Sequence, residues 1–487
     1  MEILKNEDIE KLGESVFKIL EKVGLNCENK KVLKYLESIG AKVDYENSTA
    51  KFPKKVVENF IDIIKKEDKY EWENRIKGEN KLPIYSGYFP SKISNKFQSP
   101  TPGYLFHQVT PFFYDDETGN KRKGNKEDFI KLIKIGSVLH PQHGCGHSLL
   151  LMDVPPILEP LEAACLLIEY AHKPRGVYIE DVSQIPYIIE IEEIADIKDP
   201  YWHWFANVSF ATPLKLEKNI AERFIEMVKS GNYPAKVYTM GISGVNMPVT
   251  PAGCIALISA EFLALWMIAR SINSSIPLTG MVLSGVLNMK TGEVRYWGFD
   301  ALIRAIGVYE FLKKWTGVEV LPGVGEYTPS KLPGFYTTLE KAYNAMTIYA
   351  FTGIHPDLGI GHLEAGLSIS PVQLLFDREF SEGLKFLENI EVNSNTIGLD
   401  AIIEIGFGKN KNFLESIHTM KNFRSSLWMP EFFNPEGWTP EIEKKSLEKA
   451  KAKIKEIINE YKKPEIDPEI IYKIRKIIER ASKELIK

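Results

Sequence analysis

Apolar positions near the start of the chain recur at helical spacing. Ile9, Val16, Ile19, Leu20 and Val23 share one face, and a second helix is expected around Lys31–Ile39. An extended piece over Ala41–Phe52 and a helix near Lys54–Ile64 complete an N-terminal helical cap. Residues 66–125 carry turn signals, Ser99-Pro-Thr-Pro-Gly103 and Asp115-Asp-Glu-Thr-Gly119, and read as loop-rich. From 126 onward the pattern turns regular. Strand-like runs near 142–152, 176–180, 205–210, 236–240, 278–283, 318–322 and 352–358 alternate with helical patterns. The helices are expected near 126–138, 157–172, 183–195, 215–230, 251–272, 299–315, 337–350 and 371–388.

Short extended runs between longer amphipathic helices indicate βα units with parallel pairing. With a further strand available from 83–115, the pattern predicts an α/β protein built on a TIM-type (β/α)8 barrel. The expected division is a cap over 1–125, a barrel body over 126–430 and a helical extension over 431–487. That extension is rich in lysine and glutamate and breaks at Lys463-Pro464.

Composition narrows the class. The 487 residues carry a formal charge of −4 with no dominant basic block, which argues against nucleic acid as a partner. The N-terminus has acids from Glu2 and no apolar run of the kind a signal peptide needs. Cys254–Ala269, the most apolar window, contains Glu261 and falls short of the ~20 residues of a membrane span. Four scattered cysteines suit reduced thiols in a cytoplasmic protein.

In a barrel, function sits on the loops that follow the strands. One such loop is Gly241-Ile-Ser-Gly-Val-Asn246, followed by Thr250-Pro251 in the pattern of an N-cap with proline in the first turn. It serves either as a plain cap or as a cradle for a polar ligand. In His140-Pro-Gln-His-Gly-Cys-Gly-His147, a strand would turn His143, Cys145 and His147 to one face, so these three are the candidate metal set. The alternative reading gives them packing and hydrogen-bonding roles. His355, Asp357, His362 and Glu364 sit among glycines in 353–366, the richest loop in titratable groups. Tyr104, Phe106, Tyr296, Trp297, Phe335 and Tyr336 fall at loop positions, where ring faces could surround a cation or simply pack.

The stretch GISGVNMPVTPAGCIALISAEFLA resembles the signature of the trimethylamine methyltransferase superfamily. The resemblance extends through Ile19–Gly24, Gly40–Asp44, Asp115–Lys123, Asp153-Val-Pro-Pro156, His362–Gly366, Asp377-Arg-Glu379, His418–Arg424 and Trp428. It implies a TIM-type barrel that moves a methyl group from a methylated amine to the cobalt of a separate corrinoid protein. The chain lacks pyrrolysine and so resembles the branch acting on quaternary amines such as glycine betaine. The expected partners are that corrinoid protein, the small methylated amine and further copies of the chain. No membrane and no tightly bound metal are expected.

One departure concerns the donor. Relatives commonly carry a stretch of the form Asp-Ser-Lys-x-Pro-Asp-x-Gln, where this chain has Tyr327-Thr-Pro-Ser-Lys-Leu-Pro-Gly-Phe-Tyr336. Glu326 is then the expected carboxylate for the cation, with Tyr336, Tyr296, Trp297 and Phe335 around it and Gly241, Ser243 and Asn246 beneath. His355, Asp357 and His362 are expected at the corrinoid-facing mouth, as the catalytic group. A zinc-dependent methyltransferase or hydrolase using His143, Cys145 and His147 is one competing reading. A barrel that binds methylated osmolytes without turnover is another.

Overall fold

A computed structural model describes residues 2–67, 109–142, 144–198, 202–205, 208–231, 234–323, 325, 327–353, 356, 358–387, 390–409, 411–433 and 436–486. The expected residues His143, Glu326, His355, Asp357, Tyr104 and Phe106 lie outside it.

The α/β body is a run of parallel strand segments. Thr110 bridges Leu149 and Cys145 bridges Pro174, while Val177–Ile179 pairs with His203–Phe205. Val208–Ser209 pairs with Ala235–Thr239, which pairs with Leu278–Val282, which pairs with Leu321–Pro322. At the other end Ser368–Ile369 pairs in parallel with Phe112–Phe113. Counting His203–Phe205 with Val208–Ser209 as one, eight described segments follow one another in chain order, each ahead of a helix. The helices span Lys126–Leu139, Glu159–Tyr170, Ile185–Ile194, Lys218–Ser230, Pro251–Ile272, Phe299–Thr316, Phe335–Thr352 and Pro371–Gly383. Among the described residues, Leu321–Pro322 and Ser368–Ile369 share no ladder with each other.

Two expectations are refined. Helix Phe335–Thr352 continues to Thr352 and stops at Gly353, where φ is +72°, while residues 354, 355 and 357 of the strand expected at 352–358 lie outside the described residues and Leu358 forms a β-bridge. Two short strands beyond it, His362–Leu363 and Ser368–Ile369, pair with each other as a hairpin. The loop-rich 66–125 stretch contains a regular hairpin, Phe112–Asp115 against Asn120–Lys123.

Helix Pro251–Ile272 opens with Thr250, whose hydroxyl accepts the Gly253 N–H, and with proline at its first turn. It is long and apolar enough to cross a membrane, but 83% of that window is buried inside the protein. It is a core helix, packed by the N-terminal helices Asn6–Lys22 and Lys30–Ser38 and by Lys218–Ser230 and Phe299–Thr316. The N-terminal strands are tied in as well, since Leu25–Cys27 pairs with Lys215–Leu216.

A second core lies under the C-terminal helices Pro440–Glu460 and Pro468–Leu485, which pack on the helices from Lys126 to Ile194 and on Pro371–Gly383. Ile474, Ile477, Ile478 and Ala481 are buried, so this extension covers the body rather than standing in solvent.

Glu261, the acid within the apolar helix, is buried. Its carboxylate accepts the Leu214 N–H at 2.9 Å and the Thr212 hydroxyl at 3.1 Å. Burial raises its pKa to about 7 against the opposing pull of those two bonds. A carboxyl whose folded pKa exceeds its unfolded value binds its proton more tightly in the native state. Its contribution to stability is therefore fully present below about pH 4.5 and is lost as pH rises toward 7. Glu261→Gln, whose amide oxygen can accept the Leu214 N–H while its NH2 donates to the Thr212 oxygen, should remove about 3 kcal/mol of that loss. Urea unfolding of both proteins from pH 4.5 to 8 checks it; parallel curves would show that Glu261 does not titrate in this range.

Candidate functional site

The face of each strand follows from what its neighbours touch. A Cβ placed on Gly280 would lie 2.8 Å from the Phe262 ring, so Gly280 and its register partner Val237 face helix Pro251–Ile272. By alternation, Lys236, Tyr238, Thr279 and Met281 face the opposite way. Tyr178, between the core residues Val177 and Ile179, does the same on its own strand.

Four phenols gather on that inner side. Tyr238 is buried, and its hydroxyl is held well above the ordinary phenol range, first by burial and then by the neighbouring Tyr178 and Tyr327. Tyr327 lies edge-on to Tyr296, with ring centroids 6.2 Å apart. The Tyr296 hydroxyl donates to the Met240 carbonyl at 3.4 Å, and burial raises its pKa too. The raised Tyr238 and Tyr296 hydroxyls keep their protons near physiological pH, so these two are neutral rings with electron-rich faces. Lys236 Nζ lies 5.2 Å from the Tyr238 ring centroid and adds a cation to the lining.

Beyond the strand ends sits a small sheet of Ile242–Ser243, Gly285–Leu287 and Val294–Arg295. Gly285 leaves room for Tyr296, since a Cβ there would come within 2.9 Å of the ring. Gly241 lies under the Met247 thioether and has no room for a side chain. Asn246 accepts the Ile242 N–H at 2.6 Å and fixes the loop. Ser243 is fully buried, with its Oγ 3.0 Å from Cys254 Sγ, so its hydroxyl is turned into the helix start.

The segment that departs from the family pattern is held at several points. Ala365 N–H donates to the Thr328 carbonyl at 2.7 Å, and Glu364 N–H to the Ser330 carbonyl at 2.9 Å. The Thr328 hydroxyl donates to Glu340. Gly334 N–H donates to Gln373 Oε1 at 2.8 Å, and Gln373 also bonds Asp377, which forms a fully buried ion pair with Lys341.

These anchors sort the aromatics. Tyr327 goes inward to Tyr296. Phe335 stacks on Phe433 at 5.1 Å and meets Phe376 edge-on, within a core. Tyr336 is exposed and lines a surface groove with Trp438, Pro440 and Leu447. Trp297 and Phe299 both approach Tyr343, with centroids 6.4 and 5.8 Å apart. Of the expected cation-binding rings, the structure therefore brings Tyr296 to the inner cluster and sets Phe335 in packing. Tyr178, Tyr238 and Tyr327 were missed. The available signal was the alternation of Lys236 and Tyr238 with Val237 on one strand.

His362 is buried on its short strand, opposite Ile369. The described members of the metal alternative are engaged elsewhere. Cys145 and His147 share a face, but it is the helix side. Cys145 Sγ donates to the Ile133 carbonyl and lies 3.7 Å from Ser137 Oγ, and burial pushes its thiol up to about 12. His147 Nε2 bonds Glu159 at 2.9 Å, while its Nδ1 accepts the Tyr178 N–H at 3.4 Å. Among the described residues no group of three or more His, Cys, Asp or Glu side chains is arranged to hold a metal.

Removing the imidazole leaves the buried Glu159 carboxylate with one fewer partner. His147→Ala should cost about 2–4 kcal/mol in denaturant unfolding. Metal analysis of the wild type and the variant should give the same zinc content, and zinc lost with the imidazole would return His147 to a ligand role.

Residues 1–485 match the family described as Trimethylamine methyltransferase (MTTB). Trimethylamine methyltransferase MttB of Desulfitobacterium hafniense (strain DSM 10664 / DCB-2) is 20% identical over 98% of this chain and 94% of its own length. The glycine betaine methyltransferase of Desulfitobacterium hafniense (strain Y51) is 23% identical over 99% of this chain and 98% of its own. Trimethylamine methyltransferase MttB of Methanosarcina barkeri (strain Fusaro / DSM 804) is 23% identical over 56% of this chain and 54% of its own.

Proposed function

The chain belongs to the trimethylamine methyltransferase family, and on that premise we propose that it transfers a methyl group from a betaine-like quaternary amine to the Co(I) of a partner corrinoid protein. The observation that carries the donor class is the inner lining of Tyr178, Tyr238, Tyr327 and Tyr296. Neutral ring faces attract a quaternary ammonium through their quadrupoles, and such a cation has no N–H to give to an acceptor.

The eight parallel segments are read as a closed barrel, with closure between Leu321–Pro322 and the 358–369 segment. Support comes from the helix after every segment and from the two backbone bonds of Glu364 and Ala365 to the 328–330 loop. The tyrosines then stand at the carboxyl ends of the strands, where barrels place their sites. In sequence Glu326 follows Leu321–Pro322 by four residues, His355 and Asp357 precede the 358–369 segment, and His362 lies within it. They remain the proposed contributors to the mouth. The exposed rim of Tyr336, Leu339 and Phe299 is the proposed face for the partner.

The partner's Co(I) supplies the two-electron nucleophile. The methyl carbon's bond to nitrogen breaks, and its electron pair leaves on a neutral tertiary amine that needs no proton. The residues here therefore bind, orient and exclude water. Positive charge on nitrogen disappears as the methyl leaves, so a site that keeps water away weakens solvation of the separated charges more than that of the transition state. Loss of the charge also removes the cation–ring attraction and favours release of the product. Lys236 offers a countercharge to the carboxylate end of a zwitterionic donor.

Reduced cobalamin incubated with glycine betaine, proline betaine, carnitine, tetramethylammonium and trimethylamine should become methylated by quaternary donors. Methylation by trimethylamine alone would refute the donor class. Tyr296→Ala should lower kcat/KM for quaternary donors by roughly 10- to 100-fold. Lys236→Met should raise KM for donors bearing a carboxylate and leave tetramethylammonium unchanged. Equal effects on both would remove Lys236 from carboxylate recognition.

A further inference from the structure

We propose that the turn Glu364-Ala365-Gly366, latched by Lys121, is the positioning element that holds Tyr327 at the inner ring cluster. The backbone here is left-handed for three residues running, with φ of +51° at Glu364, +56° at Ala365 and +82° at Gly366. Five described residues other than glycine have positive φ, and Glu364 and Ala365 alone among them are neighbours. That region crowds a Cβ against its own backbone. Residues with side chains stay there only where the surroundings over-determine them, and they gather at functional sites.

The surroundings of this turn do over-determine it. The strands His362–Leu363 and Ser368–Ile369 pair across it. Ser368–Ile369 also pairs with Phe112–Phe113, whose hairpin partner, Asn120–Lys123, carries Lys121. Lys121 Nζ reaches both oxygens of the Glu364 carboxylate, at 2.8 and 3.0 Å, and the Ser368 hydroxyl donates to the same group at 3.2 Å. The glutamate side chain is only 14% exposed, so half of this ion pair is shielded from water.

The turn delivers two backbone donors. Glu364 and Ala365 give their N–H groups to the Ser330 and Thr328 carbonyls at 2.9 and 2.7 Å. The receiving segment, Tyr327–Ser330, has no helix or ladder of its own. Tyr327 directly precedes Thr328, so the backbone that the turn holds is the one from which the ring projects to Tyr296. Lys121 and Glu364 are therefore positioning residues that act through Tyr327. The consequence for turnover rests on the quaternary-amine reading, in which the rings hold the donor's charge before the methyl leaves. Loosening one ring weakens binding of the charged donor, while the transition state, with part of that charge already lost, suffers less. KM should rise and kcat should not fall.

Tetramethylammonium is the donor for the test, because it lacks the carboxylate assigned to Lys236. With it, K121M and E364Q should each raise KM roughly two- to fivefold at unchanged kcat, the scale of one partly exposed ion pair. The K121M/E364Q double variant should do no worse than either single, and K121R should restore the wild-type KM. A pair that served only stability would lower the active fraction, and with it kcat, at constant KM. That pattern, additive KM effects, an unchanged KM or a K121R that behaves as K121M overturns the proposal. If the wild type methylates cobalamin from no quaternary donor, the donor reading fails by itself, and hydrogen exchange tests the latch apart from turnover. K121M should speed exchange of the Glu364 and Ala365 amides by roughly two- to fivefold with the thermal midpoint unchanged, and exchange at the wild-type rate overturns the latch.

Discussion

A helix that is apolar on every side has to be covered on every side, and Pro251–Ile272 is such a helix. From Cys254 to Ala269 only Leu257 is not fully buried. Its cover comes from both directions along the chain. The N-terminal helices lie on it, as do helices Lys218–Ser230 and Phe299–Thr316, and strand Ala235–Thr239 runs beneath. Covering this surface draws the first 65 residues into the same core as the strands, so the N-terminal elements are part of the body's packing. The requirement reaches the site as well. Val237 and Gly280 must face this helix, and period-two alternation then turns Lys236, Tyr238, Thr279 and Met281 to the inner side.

Several residues that carry the family resemblance hold the frame rather than meet a ligand. Arg122 of the Asp115–Lys123 loop pairs with Asp128 and closes its hairpin onto the following helix. Asp377 is locked to Lys341 and Gln373 beneath the 328–334 segment, and Glu379 gathers the amides of Glu431, Phe432 and Phe433. Glu261 fixes the turn at 212–214. Asp377, Glu379 and Glu261 are each tied to partners distant in the chain, and carboxyl groups held inside the fold in this way are costly to leave without them. A sequence signature can thus identify a family through residues whose work is architectural.

Legibility in the sequence follows from how local each signal is. Helices with a long apolar run and clear end signals were readable nearly to the residue, as at 251–272 and 299–315, because the proline in the first turn of one and the glycine after the last turn of the other lie at the segment's own ends. Parallel strands of two or three residues were harder. Their ladders depend on neighbours far along the chain, so their ends shift easily: helix Phe335–Thr352 takes the first residue of the strand expected at 352–358. The small sheet of Ile242–Ser243, Gly285–Leu287 and Val294–Arg295 had no signal beyond scattered glycines. In the site, composition pointed to aromatic rings but not to which ones. Phe335, Tyr336 and Tyr327 occur within ten residues, and only the anchors at Thr328 and Gly334 decide that Tyr327 turns inward, Phe335 packs and Tyr336 faces solvent.

That sorting bears on how the altered 327–336 segment differs from the family pattern. Where relatives commonly place aspartates and a glutamine, this chain's inward contribution is a neutral phenol beside three others. Carboxylates and amides recognise a donor by direction, through charge and hydrogen bonds. Ring faces recognise it by shape and by diffuse positive charge, tolerating different substituents on nitrogen so long as the charge stays unshielded by protons. On the proposed reading the rings would take the ammonium of a zwitterionic donor and Lys236, the one basic group on strand Ala235–Thr239, its carboxylate. Discrimination among donors would then rest on the distance between those two ends more than on the bulk around nitrogen.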